Sequence, residues 1–148
     1  MTAIRRIQRE LAQLEASPIV GVSVTPDESN LFNWAGTIKP SSESPYKGGT
    51  YKFTLVFPEN FPFKAPNVKF TTKIYHPGIN EQGEICVTLL KDDWKPSISV
   101  VTILNTIAEK INNPSPDDPF EPEIAQQLKE DKPKFLQTAK EWVKKYAS

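Results

Sequence analysis

The chain has 148 residues, in which 18 Lys and Arg are balanced by 18 Asp and Glu. That length suits one domain able to bury a core without disulfides or metals, and the charge balance argues against a nucleic-acid protein held by bulk charge. A single cysteine excludes an intramolecular disulfide or a multi-cysteine zinc site and suits a reducing compartment. No apolar run approaches membrane-spanning length, and Met1 to Arg9 lacks the apolar stretch of a secretory signal. With 14 prolines against 6 glycines, the connections should be stiff and extended rather than flexible.

Residues Thr2 to Leu14 read as a helix, because Ile4, Ile7, Leu11 and Leu14 recur three or four apart and make one apolar stripe. Arg5, Arg6, Arg9 and Glu10 lie off that stripe, either as a solvated face or as a basic docking patch for an acidic partner. Ser17-Pro18 ends the helix. Val20, Val22 and Val24 then alternate with small polar residues, the period of a half-buried strand. Pro26 to Asn30 reads as a polar turn, Asn33 to Lys39 as a second strand, and Pro40 to Gly49 as a long turn. Thr50 to Phe57 is the clearest strand, with Tyr51, Phe53, Leu55 and Phe57 sharing one face. Short connections point to an antiparallel meander packed on helices.

Pro58, Pro62 and Pro66 forbid helix and regular ladder alike between the third strand and a short fourth one at Val68 to Thr71. The Phe61-Pro62 bond is accessible to cis, with trans the expectation. Phe63 reads as core or as a ring left for a partner, and its residue type alone favours core.

The segment from Tyr75 to Cys86 holds the only histidine and the only cysteine. Pro77, Gly78 and Gly83 punctuate it, so it must be a shaped loop that delivers Cys86 after the apolar Ile85. Taken alone, a free cysteine most often reads as a small, inert, buried side chain. Val87 to Leu90 is an apolar turn leading to Asp92-Asp93 and Trp94-Lys95-Pro96. Ser97 or Ser99 can cap a helix with Val100, Ile103, Leu104, Ile107 and Ile111 on one face and Thr102, Asn105, Thr106 and Glu109 on the other. Pro114 stops it, and Pro114 to Pro119 is a proline-fixed acidic loop. Pro122 to Glu130 gives a short helix. Asp131 caps the last one, whose stripe is Phe135, Ala139, Trp142, Val143 and Tyr146. Helix, strands, loop and three helices make an α+β chain.

Several motifs in this order resemble the ubiquitin-conjugating catalytic domain. They are Ser44-Pro45-Tyr46-Lys47-Gly48-Gly49, Phe61-Pro62-Phe63-Lys64-Ala65-Pro66, Tyr75-His76-Pro77, Ile85-Cys86, Trp94-Lys95-Pro96 and Pro116-Asp117-Asp118-Pro119. The likeness runs from Ile4 to Tyr146 and is to the bare-domain branch, without extensions. One departure stands out: the family motif is His-Pro-Asn, and Gly78 occupies the asparagine position. The resemblance implies a single domain over residues 1–148, with a four-stranded antiparallel meander, an N-terminal helix and three C-terminal helices.

It also implies a mechanism. Cys86 would take ubiquitin's C-terminus as a thioester from the activating enzyme and yield it to a substrate lysine or a ligase cysteine. Asp118 would hold and help deprotonate the incoming lysine, though it also suits a turn before Pro119. His76 would shape the loop rather than act as the base of a protease-like Cys-His pair. No basic residue flanks Cys86 closely in the sequence, so a strongly activated nucleophile is not expected. The family's asparagine supplies an amide that stabilises the oxyanion or braces the loop. Gly78 supplies neither, so lysine transfer should be weak, and Asn80 is the one nearby candidate to stand in.

By the same match, Arg5, Phe63, Lys95, Pro96 and Ser97 fall where the family docks ligases. Arg5, with its neighbours Arg6 and Arg9, falls where the activating enzyme binds, and Ser23 matches the rear surface that takes a second ubiquitin. Thr88 stands where many members carry aspartate, and Asn105 where close relatives carry leucine. Implied partners are ubiquitin, the activating enzyme, RING-type or HECT-type ligases and protein substrates. No cofactor, metal, nucleic acid or membrane is expected, and the resemblance suggests a monomer of cytoplasm and nucleus. Two other readings stand beside this one. A non-catalytic member that binds ubiquitin or a partner enzyme is favoured by Gly78 and opposed by the retained Cys86. Conjugation of another ubiquitin-like modifier is opposed by the absence of loop insertions.

Overall fold

A computed structural model of the protein describes residues 2–117 and 119–148. Strands β1 (Val22–Asp27), β2 (Asn30–Ile38), β3 (Tyr51–Val56) and β4 (Asn67–Phe70) form one antiparallel sheet in sequence order. Period-two alternation in β3 buries Tyr51, Phe53 and Leu55 and turns Lys52 out to solvent. The register puts Trp34 opposite Leu55, Gly36 opposite Phe53, and Phe53 opposite Phe70, so one face of the sheet is a continuous aromatic and aliphatic layer. Gly36 is required there, because the Phe53 ring fills the space that a Cβ would take.

Helices α1 (Ala3–Ala16), α2 (Val100–Asn112), α3 (Pro122–Glu130) and α4 (Lys132–Trp142) complete the fold. The whole expected stripe of α2, Val100, Ile103, Leu104, Ile107 and Ile111, is buried. Thr2, Ser99 and Asp131 accept N–H bonds at the starts of α1, α2 and α4, each satisfying a donor that the helix itself cannot. Pro122 sits at the first position of α3 and Pro133 at the second of α4, within the first turn, where a missing N–H costs nothing.

Several expectations are corrected. In α1 the packing stripe is Ile7, Leu11 and Leu14; Ile4, a turn earlier, is 48 % exposed. Val20 is almost fully exposed and outside β1. A turn closed by the Val22 N–H on the Ile19 carbonyl, with Gly21 at φ 80°, breaks the alternation before Val22. The strand then continues through Pro26 and Asp27 instead of turning there, which an edge strand permits because its outer side needs no donor. The turn is Glu28-Ser29, closed by the Asp27 carboxylate, which accepts from the Ser29 amide at 2.9 Å and hydroxyl at 2.8 Å. At the other end, α4 stops at Trp142 and a single π turn, Val143–Ala147, carries Val143 and Ala147 into the core.

The proline-rich segment after β3 also departs from expectation. Phe61-Pro62 is cis. Phe61 takes the core position, edge-on to Phe57 and beside Trp94. The Phe63 N–H then closes a turn on the Asn60 carbonyl at 2.8 Å, and its ring is left 76 % exposed rather than in the core.

Arg6 is not on a solvated face. Its Nε pairs with Glu10 at 3.1 Å, and its Nη2 donates to the carbonyls of Pro96 at 2.8 Å and Ile98 at 3.2 Å. The guanidinium lies 5.6 Å from the centre of the Phe61 ring. Glu10, itself buried, accepts from the Val100 N–H at the start of α2 at 3.4 Å. The pair thus bolts α1 to the segment that enters α2, and three of the Arg6 hydrogen bonds are spent inside the fold.

Candidate active site

His76 is buried and uses both ring nitrogens. Its Nδ1 accepts from the Gly78 N–H at 2.9 Å, and its Nε2 lies 2.8 Å from the Lys110 carbonyl. An amide N–H only donates and a carbonyl only accepts, so the ring is neutral with its proton on Nε2. Tyr46 stacks on it at 5.6 Å between ring centres and donates its hydroxyl to the Tyr75 carbonyl. Burial pushes the His76 pKa down to about 4; the bond to the Lys110 carbonyl opposes that fall and the Lys110 ammonium reinforces it.

The next residues build a tight platform for the cysteine. The Pro77 carbonyl accepts from Phe120 N at 2.9 Å and Glu121 N at 3.0 Å, which hangs the start of α3 on the loop. Ile79 and Ile85, both buried, bridge across an Asn80–Gly83 turn. Gly83, at φ 84°, lies against the Phe70 carbonyl so closely that no Cβ would fit. Anchored after Ile85, Cys86 donates its N–H to the Gly78 carbonyl at 2.8 Å and is partly exposed.

One contributor was invisible in the sequence. The Lys110 ammonium, in the last turn of α2, donates to the Cys86 carbonyl at 2.9 Å. A cation delivered from 24 residues away therefore holds the cysteine's backbone carbonyl. Its only sequence signal is that of a lysine near a helix C-terminus, which any surface helix can carry.

The other expected residues fall as follows. Gly78 is half-buried and its backbone is not left-handed; a Cβ there would stand 3.4 Å from Nδ1 and Cε1 of His76, an ordinary contact. Asn80 is occupied in its own turn: its amide nitrogen donates to the Glu84 carboxylate at 3.0 Å and its amide oxygen accepts from Glu84 N at 2.9 Å. Asp118 lies outside the described residues. Its neighbour Asp117 accepts from the Ser115 hydroxyl at 3.3 Å. Thr88 opens a 3₁₀ turn, Thr88–Leu90, and is exposed, as is Asn105 on α2.

Phe63, Lys95, Pro96 and Ser97 are all exposed, on two loops that Trp94 joins by donating its indole N–H to the Pro62 carbonyl at 2.9 Å. Arg5 and Arg9 are exposed on α1. Ser23 is on the outer face of the sheet, 2.7 Å from the Thr37 hydroxyl. Among the described residues no group of three or more His, Cys, Asp or Glu side chains could hold a metal ion, and no helix is long and apolar enough to cross a membrane.

The neutral histidine makes stability depend on pH with a definite sign. Its pKa falls from an ordinary 6.5 to about 4 on folding, so between those values the unfolded chain binds the extra proton. Stability is therefore fully present above pH 6.5 and declines as pH falls towards 4, by about 3 kcal/mol in total. Urea denaturation at pH 7 and pH 4.5 checks this: wild type should lose more stability over that interval than His76→Gln, which has no proton to take up.

Comparison with protein-family models agrees with the fold. The ubiquitin-conjugating enzyme model matches residues 6–143 of the 148. With nearly the whole chain matched, and with one helix, a four-stranded meander and three further helices in the order that the motifs led us to expect, this protein belongs to the ubiquitin-conjugating enzyme family.

Proposed function

We propose that the protein carries ubiquitin as a thioester on Cys86, passes it readily to a ligase cysteine and passes it slowly to lysine. In charging, the Cys86 sulfur attacks the carbonyl carbon of the thioester held by the activating enzyme, whose own thiolate leaves. In lysine transfer, the amine nitrogen attacks the Cys86 thioester, the C–S bond breaks, Cys86 departs as thiolate, and the amine loses a proton. Asp118 is the carboxylate that this reading assigns to the incoming lysine. His76 is assigned a structural role, since both of its nitrogens are engaged. Family membership supports ubiquitin, activating enzyme and ligases as partners; the cytoplasm and nucleus, as for the family, are the proposed compartments.

The observation that carries the kinetic part is the pairing of Gly78 with Asn80. Position 78 has no side chain, and the nearest amide is already engaged with Glu84. An amide that donates to a developing oxyanion is worth roughly a hundred- to a thousand-fold in rate. Exchange between thiols is the easier reaction and leans on it less.

Three measurements test this reading. Incubated with activating enzyme, ATP and ubiquitin, wild type should gain a reductant-sensitive adduct on a non-reducing gel and Cys86→Ala should gain none. An adduct in Cys86→Ala, or none in wild type, sinks the enzyme reading and leaves a ubiquitin-binding protein. In single-turnover discharge to free lysine, Gly78→Asn should be faster than wild type by about a hundred-fold. Equal rates would show that the amide has no such role here. Finally, Phe63→Ala should cut discharge stimulated by a RING-type ligase by about ten-fold, because a rigid exposed ring loses little entropy when it anchors a partner. Its melting temperature should stay within about 1 °C of wild type, because the ring lies outside the core.

A further inference from the structure

Four hydrogen bonds around the cysteine form a closed circuit. The Cys86 N–H donates to the Gly78 carbonyl at 2.8 Å, and the Gly78 N–H donates to His76 Nδ1 at 2.9 Å. His76 Nε2 donates to the Lys110 carbonyl at 2.8 Å, and the Lys110 ammonium returns to the Cys86 carbonyl at 2.9 Å. Each of the four residues both donates and accepts. Three of the links involve backbone or an immobile buried ring. The fourth runs through the flexible stem of Lys110, so it is the link on which closure depends.

We propose that Lys110 is a positioning residue for acyl transfer at Cys86, acting as the brace that closes this circuit. The inference rests on the thioester reading above and extends it to a residue outside the catalytic loop. The chemistry of the bond suits the task. A charged donor to a carbonyl makes a stronger hydrogen bond than a neutral one, and Lys110 is half-buried, where competition from water is reduced. With its N–H and its C=O both held, the Cys86 backbone has no freedom to rotate away from the turn. Where Gly78 offers no side chain to stiffen the loop, stiffness comes from α2 instead, through a side chain whose own helix is buried along one entire face.

The consequence falls on the geometry of attack. An amine must reach the thioester carbon along a narrow approach, and displacing the residue that carries the thioester by about 1 Å can cost up to a hundred-fold. Losing one of four braces should cost less, about ten-fold. That loss should appear in the limiting rate of discharge and not in the lysine concentration for half-maximal rate, since Lys110 faces the cysteine's backbone and binds no acceptor.

The experiment compares wild type, Lys110→Met, which keeps the stem and loses the donor, and Lys110→Arg, which restores a charged donor. Two measurements are made: amide hydrogen exchange at Gly78 and Cys86 in the uncharged protein by NMR, and single-turnover discharge of ubiquitin to lysine. The Met variant should exchange about ten-fold faster at both amides and discharge about ten-fold more slowly at saturating lysine, with the Arg variant within about three-fold of wild type in both. Wild-type exchange and discharge in the Met variant overturn the proposal. So does a slowing shared equally by Met and Arg variants and matched by a fall in melting temperature, which would mark a general packing role. If wild type accepts no ubiquitin at all, the functional reading fails while the exchange measurement still decides whether Lys110 is the brace.

Discussion

A buried imidazole that must stay uncharged holds the cysteine loop to the helix beneath it. His76 bonds the Gly78 amide on one side and the last turn of α2 on the other. Either bond alone is modest, near 1 kcal/mol, but an unpaired polar nitrogen at that depth would cost more than the bond yields. The loop therefore has one conformation in which the ring is satisfied. Everything downstream inherits it, from the Pro77 carbonyl that receives α3 to the bridge between Ile79 and Ile85 that presents Cys86. A histidine in such a place trades titration for shape, and is poorly suited to take a proton from a substrate.

The surface proposed for partners depends on interior bonds just as closely. Arg6 and Glu10 use a partly buried ion pair to fix where the chain passes Pro96, and Trp94 fixes that loop against Pro62. Burial of Phe61 between Phe57 and Trp94 is what leaves Phe63 pointing outward two residues later. A side chain of that size yields about 2 kcal/mol or more when buried, so the exposed ring is the cost of a turn whose other aromatic is well packed. The exposed groups are few, and their supports are many and hidden.

That division explains what could be read from the sequence. Helix stripes, strand alternation and caps are properties of neighbours three or four residues apart; Asp131, Pro122 and the α2 stripe were legible, and the α2 cap was narrowed to Ser97 or Ser99, of which Ser99 is the one used. So were the cysteine and the shaped loop around it, through the spacing of Pro77, Gly78 and Gly83. What escaped were contacts between residues far apart in the chain. Arg6 reaches across 90 residues to Pro96, and Lys110 across 24 to Cys86. Nothing in either residue's local pattern distinguishes an inward-turned cation from a solvated one. Phe63 was ambiguous for a related reason: two aromatics flank one proline, only one can enter the core, and the local pattern does not say which.

The two ends of the sheet carry a consequence for how the molecule behaves in company. An unpaired strand edge is a template on which other chains can zip and aggregate. At β4 that template is covered, because the Asn80–Gly83 turn lies along it, with Phe70 N–H donating to the Gly83 carbonyl at 2.8 Å and Lys69 bridged to Glu84. At β1 it is interrupted, because Pro26 has no N–H to offer and the register slips between Pro26 and Asp27. The turn that presents the cysteine therefore also guards one margin of the sheet, and damage to it would expose a sticky edge as well as displace the thiol.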